Sequence, residues 1–214
     1  MRQVMNRWMV ILLASIGLMG ASLTAAFADT LAQNVGTTGT NSADLFAGQS
    51  VTTGSGGPWD HIVFTFMGPS GNIANGHLFI LSDAYAGTAS SLSSSTTGFL
   101  AESNGISSNG WVFDPTFSLV PNTQYFFYSD FDFAPNTVSF SGDQYAGGNL
   151  FLESDSFGFT HFSPLVSQDF DFRLTGTLVA PTAVPEPRSL VLLIIPLCAL
   201  LAVKMAKALP AQDK

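Results

Sequence analysis

The sequence predicts an all-β fold, an antiparallel β-sandwich between two terminal appendages, on three observations. No helical period persists over a useful length between Asp29 and Val179. Strand-length apolar or alternating runs recur there instead, bounded by Gly, Asn, Pro and Ser, which is the pattern of a sandwich or barrel. Charged residues make up 10% of the chain, against about 25% in ordinary soluble domains, while 19 phenylalanines supply material for a core. The length of 214 residues allows one domain of ordinary size with appendages and excludes a large multidomain enzyme.

Residues 1–28 read as a secretory signal peptide. Arg2 and Arg7 form a basic start, Trp8 to Leu23 an apolar stretch, and Ala26-Phe27-Ala28 a small-x-small cleavage pattern. Cleavage after Ala28 makes Asp29 the mature N-terminus. An uncleaved membrane anchor is the competing reading.

The sandwich is expected over 29–179. Asp60 to Met67 alternates, with Ile62, Phe64 and Phe66 on one face. His77 to Leu81, Tyr125 to Tyr128 and Leu150 to Leu152 are brief runs closed by turn residues. Asp169 to Leu174 alternates again, with Phe170, Phe172 and Leu174 on one side and Asp169, Asp171 and Arg173 on the other. Thr88 to Gly98 (TASSLSSSTTG) is low-complexity and reads as a flexible surface connection. The lone cysteine, Cys198, lies outside this body, so the body folds without disulfides and has no thiol chemistry. Stability must come from an apolar core.

After the body, residues 180–189 form a Pro-rich linker in which Pro185 and Pro187 hold the chain extended around Glu186. Leu190 to Val203 is then an uncharged run of fourteen residues, about 21 Å as a helix, short of a bilayer core of about 30 Å. Extending the helix over 190–209 reaches that thickness if Lys204 and Lys207 snorkel, and those lysines place the tail 210–214 on the cytoplasmic side.

Val184-Pro185-Glu186-Pro187, a short apolar helix and then basic residues, at the end of a chain that opens with a signal peptide, resembles the PEP-CTERM sorting signal of exported bacterial proteins. That resemblance implies export by the Sec machinery, a stay in the inner membrane, processing by exosortase, and delivery to the cell surface or matrix of a Gram-negative-type bacterium. The tail departs from the family, with spaced lysines where an arginine cluster is usual. Gln49-Ser50-Val51-Thr52-Thr53-Gly54, Leu78 to Ser82, Phe99-Leu100-Ala101, Leu119 to Tyr125, Tyr145-Ala146-Gly147-Gly148 and Asp171 to Leu174 resemble, in that order, surface modules of the choice-of-anchor R type. This implies a jelly-roll-like sandwich and no known activity.

Charge excludes one class of partner. From Asp29 to Val184 there are thirteen acidic residues and one base, Arg173, so nucleic acid would be repelled. Catalytic signals are sparse: His61, His77 and His161 are scattered, and no HExxH, nucleophile elbow, phosphate loop or dinucleotide fingerprint occurs. His61 and His77 are expected as strand-face residues. Two ligand classes suit the residues at hand. Calcium would take oxygens from Asp130, Asp132, Asp169 and Asp171, although strand alternation alone would place these in water opposite buried phenylalanines. A sugar would stack on Trp59, Tyr85 or Tyr145, which stand beside Gly-rich turns, whereas Trp111 is expected in the core. The expected function is that of an exported, non-enzymatic surface or matrix protein, associated with exopolysaccharide or biofilm, with no cofactor unless calcium. A secreted carbohydrate-binding module or sugar-active enzyme of sandwich fold is the alternative.

Overall fold

The computed structural model of the chain describes residues 28–179, apart from 37–39, 43–44, 70, 134–137 and 143. The signal peptide to residue 27, the Pro-Glu-Pro segment and the apolar stretch 190–209 lie outside them. Among the described residues, no helix is long and apolar enough to cross a membrane.

Among the described residues, fifteen strands build the body. They are β1 (Ala28–Asn34), β2 (Thr40–Ser42), β3 (Phe46–Thr52), β4 (Trp59–Gly68), β5 (Gly71–Ile73), β6 (Leu78–Leu81), β7 (Phe99–Glu102) and β8 (Gly105–Ser107). There follow β9 (Gly110–Val112), β10 (Gln124–Ser129), β11 (Val138–Gly142), β12 (Leu150–Ser154), β13 (Phe159–Leu165), β14 (Gln168–Phe170) and β15 (Phe172–Leu178). A first sheet runs β1-β15-β4-β9-β8, with β5 also on β4. A second runs β13-β12-β3-β10-β6-β7, and a small third runs β14-β11-β2. All the pairings are antiparallel.

The alternation read in β4 carries the main core. Ile62, Phe64 and Phe66 are fully buried and face Phe172 and Leu174 of the neighbouring β15. Ala47, Val51, Ile80, Tyr125, Phe127, Leu150 and Leu152 close the core from the second sheet. Phe64 stacks on Phe127 across the two sheets, with ring centroids 4.5 Å apart and planes at 14°. That contact makes the two sheets a sandwich, because each buries the inward half of its side chains against the other. Trp111 lies in this core as expected, with its indole N–H donating to Asn75 O at 3.1 Å. Gly110 before it has φ +133, and a Cβ there would strike the Phe64 carbonyl, so only glycine brings β9 this close to β4.

A second apolar cluster covers the outer face of the second sheet. Phe79, Leu81, Tyr128, Phe151 and Phe162 form it, and Ala89 and Leu92 of the Ser-rich connection cap it. That connection is therefore not a loose surface link. A 3-10 turn at Ala89–Ser91 seats it, the Ala89 N–H donates to Glu153 Oε2 at 2.6 Å, and Ser93 N–H donates to Thr96 Oγ1 at 3.0 Å. Its serines satisfy the turn while two apolar residues reach the sheet, the construction of a packed Ω-type loop. Gly48 completes the cluster, since a Cβ at this position would overlap the Tyr128 ring.

The alternating run from Asp169 to Leu174 is not one strand. It passes from β14 in the third sheet to β15 in the first, with Asp171 at the joint. The Asp171 N–H donates to Ser139 O and its carbonyl accepts from Met67 N–H, both at 2.8 Å. Those bonds fasten the joint to β11 and β4.

Candidate functional site

The four aspartates do not form one cation site. Asp130 and Asp132 follow the end of β10 in a turn rather than sharing a strand face, and Phe131 N–H donates to Ser129 Oγ there at 3.0 Å. Asp169 and Asp171 are buried, at 1% and 5% exposure, which corrects their expected place in water. Asp169 Oδ1 accepts from Gln49 Nε2 at 2.9 Å, and its Oδ2 from the N–H groups of Tyr145 at 2.9 Å and Gln144 at 3.2 Å. Gln49 in turn accepts the Phe170 N–H at 3.0 Å, so one side-chain pair ties β3, β14 and the 144–145 turn together. Asp171 Oδ1 accepts the Gly36 N–H at 2.9 Å. A buried acid surrounded by donors is satisfied structurally, not held open for a ligand. Among the described residues, no group of three His, Cys, Asp or Glu side chains is placed to hold a metal ion.

The aromatic platform is likewise not assembled. Trp59 is buried in the main core at 6% exposure, with its ring over Gly56 and Gly57, which corrects its placing at the surface. Its backbone exchanges hydrogen bonds with Leu119. Tyr85 and Tyr145 are half-buried braces on different clusters. The Tyr85 ring packs on Tyr128 and Phe162, its N–H donates to Tyr128 Oη at 2.9 Å, and its hydroxyl donates to Thr88 O at 3.2 Å. Tyr145 lies edge-on to Phe172 at 5.2 Å, and its hydroxyl donates to Thr52 O at 2.9 Å while accepting Thr52 N–H at 3.2 Å. Both phenols are pushed up, chiefly by burial.

What the fold does bring together is His77 with two carboxylates. The turn before β6 presents His77, and Trp111 anchors that turn from beneath through Asn75 O and Gly76 O. Asp130 grips His77 twice: Oδ1 accepts its backbone N–H at 2.7 Å, and Oδ2 lies 3.0 Å from Nδ1. Glu102 Oε1 stands 3.8 Å from Nε2 on the opposite edge of the ring. The two acids approach opposite nitrogens, so the three side chains diverge rather than converge on one ion. Beside them opens a cleft of about 350 Å³ lined by His77, Glu102, Ser103, Asn104 and Gly105. Ser103 Oγ accepts the Leu78 N–H at 2.9 Å, and its own N–H donates to Leu78 O. Sequence reading named His77 and Asp130 separately; their 53-residue separation hides the pairing.

His61 and His161 stand apart. His61 occupies an irregular point of β4 with φ +49, its Nδ1 2.7 Å from Asp60 Oδ1. His161 Nδ1 lies 3.3 Å from Thr160 Oγ1.

The electrostatics of the body favour the acid side of neutrality. Burial raises the Asp171 carboxyl above its ordinary value, partly offset by the Gly36 N–H. Burial also raises Glu153; the Ala89 N–H opposes, the Asp155 charge adds, and the His161 side chain opposes. Asp114, an exposed acid lowered by hydrogen bonds from Thr116, pulls the other way. A raised acid binds more protons folded than unfolded, so its contribution is fullest below the ordinary carboxylate range and is lost as pH rises through the raised folded value. Mutual repulsion among thirteen acids facing one base acts in the same direction. The urea midpoint of the chain is therefore expected to fall as pH rises from about 4, within the ordinary carboxylate range, towards neutrality, and Asp171→Asn to flatten that fall. A midpoint that rises from acid to alkaline pH would reverse this assignment.

Comparison with protein-family models, curated proteins and solved structures finds no match to the chain.

Proposed function

We propose that this is an exported, non-enzymatic surface or matrix protein, sorted through its C-terminal Pro-Glu-Pro signal by exosortase. The observation that carries the reading is the order of segments in the sequence. A basic and apolar start ending in Ala26-Phe27-Ala28 comes first, followed by a cysteine-free body, Val184-Pro185-Glu186-Pro187, a fourteen-residue apolar run and two lysines. An apolar run that is marginal for a bilayer and carries Pro196 suits a temporary anchor. The body's make-up supports the non-enzymatic part. Its buried acids and half-buried tyrosines are engaged in bracing strands and turns, and Ser103 beside His77 accepts a backbone N–H.

On this reading the sandwich is jelly-roll-like, as in choice-of-anchor R modules, and its working surface meets exopolysaccharide in the envelope or biofilm. The alternative, a secreted carbohydrate-binding module or sugar-active enzyme of sandwich fold, is left without the stacking platform expected for it, because the Trp59 ring is buried and the Tyr85 and Tyr145 rings pack on separate clusters. Mass spectrometry of the surface-exposed protein tests the reading at both ends. The expected mature chain begins at Asp29 and lacks the peptide ending in Lys214. A surface form that keeps Arg2, Arg7 and Lys214 rejects it.

A further inference from the structure

We propose that the outer face of the first sheet binds a single carboxylate-bearing sugar, with Arg173 as its anchor. A groove of about 220 Å³ opens on that face, lined by Val63 and Thr65 of β4, Arg173 and Thr175 of β15, Asn72 of β5, Asn109 of the β8–β9 turn, and Ala28, which cleavage before Asp29 would remove. Strand alternation sets Arg173 there, because Phe172 and Leu174 on either side of it point into the core. The register seats it between Thr65 on β4 and Gln33 on β1.

Two features mark the groove as a recognition site. Arg173 is the single base between Asp29 and Val184, and among the described residues its side chain makes neither an ion pair nor a hydrogen bond. Beside it stand two carboxamides that the fold leaves largely unused. Asn109 is engaged through its backbone N–H, which donates to Ser107 Oγ at 3.2 Å, and Asn72 Nδ2 reaches Ser108 O only at 3.5 Å.

The chemistry of these groups selects the ligand. A guanidinium takes a carboxylate through two parallel N–H···O bonds. Carboxamides both donate to and accept from hydroxyls, which is what a sugar ring presents. The volume lies below the range of about 300–1,000 Å³ typical of pockets for drug-sized molecules, so it suits one ring. Charge sets the upper limit on acidity. One arginine pairs one acid, and every further negative charge on the ligand meets a body carrying thirteen acids. The occupant is therefore one uronic-acid unit in an otherwise neutral saccharide, not a polyanion. This sharpens the exopolysaccharide association proposed above and rests on that reading for its setting. Binding by the purified chain does not require sorting, so failure of one leaves the other standing.

Titration calorimetry of the full chain in neutral detergent tests the site with glucuronate and galacturonate, using glucose, galactose and acetate as counterparts. The expected result is saturable binding of at least one uronate, with its neutral sugar and acetate each weaker by about tenfold or more. Arg173→Gln should weaken uronate binding by about tenfold or more while leaving urea unfolding unchanged, because the side chain is exposed. Absence of uronate binding overturns the proposal. So does acetate binding as tightly as the uronates, which marks an anion site without sugar recognition, or an Arg173→Gln chain that binds as well as the parent.

Discussion

Replacing Asp169 by alanine is expected to lower the unfolding free energy by about 3 kcal/mol, read from the urea midpoint of the full chain. The substitution removes the acceptor for Gln49 Nε2 and for the N–H groups of Gln144 and Tyr145. A buried donor without a partner costs about 1–3 kcal/mol, which applies in full to Gln49, while the N–H groups of half-buried Tyr145 and exposed Gln144 add less. Asp169→Asn keeps one acceptor oxygen and sets an amide against the remaining donors, so its loss should be smaller than alanine's but still measurable. The same change should loosen the 144–145 turn and, with it, the Tyr145 brace on Thr52. Faster amide exchange at Tyr145 would register this. A midpoint for Asp169→Ala within about 0.5 kcal/mol of the parent, the range of ordinary surface changes, would mean that the buried network contributes little.

Phe64→Ala is expected to cost about 3–5 kcal/mol by the same measurement. Its ring lies between the sheets, stacked on Phe127 at 4.5 Å and on Phe172 at 5.7 Å, and edge-on to Phe66 at 5.0 Å. Removing it leaves a cavity that the flanking strands cannot close, because they are pinned by ladder hydrogen bonds on both sides of β4. Val166→Ala, at a residue 71% exposed, serves as the control and should change stability by less than about 0.5 kcal/mol. A Phe64→Ala loss no greater than the control would place the core elsewhere.

The elements that reveal themselves in the sequence are those whose burial follows a period of two. Ile62, Phe64 and Phe66 could be placed inward because the residues between them are less apolar, and all three are fully buried. The run from Asp169 to Leu174 has the same alternation, yet both aspartates are buried. The period specifies two faces; it does not say that the second face meets water. Here that face enters the seam where three sheets join, and Gln49, 120 residues away, supplies the compensation for Asp169. The outer cluster was hidden for a related reason. Phe79, Leu81, Tyr128 and Phe151 make their strands apolar on both sides, which signals a strand covered twice, but the cover comes from a serine-rich segment whose composition reads as solvent-exposed. Trp59 illustrates the limit of local context, since a Gly-rich approach fits an exposed ring as well as a ring packed against glycine backbone. The pairing of His77 with Asp130 and Glu102, and the seat of Arg173 among two asparagines, depend on topology that a single sequence does not display.

The claim that organises the account is that Glu186, between Pro185 and Pro187, marks the chain for removal of its C-terminal segment. It is tested most directly by fractionating an epitope-tagged chain, parent and Glu186→Ala, in hosts with and without exosortase. The account predicts that the parent reaches the surface without Lys214 only in the exosortase host, while Glu186→Ala is exported and folded but accumulates full-length in the membrane fraction. A surface form that keeps Lys214 in both hosts, with Glu186→Ala indistinguishable from the parent, would contradict it and leave the segment an ordinary anchor.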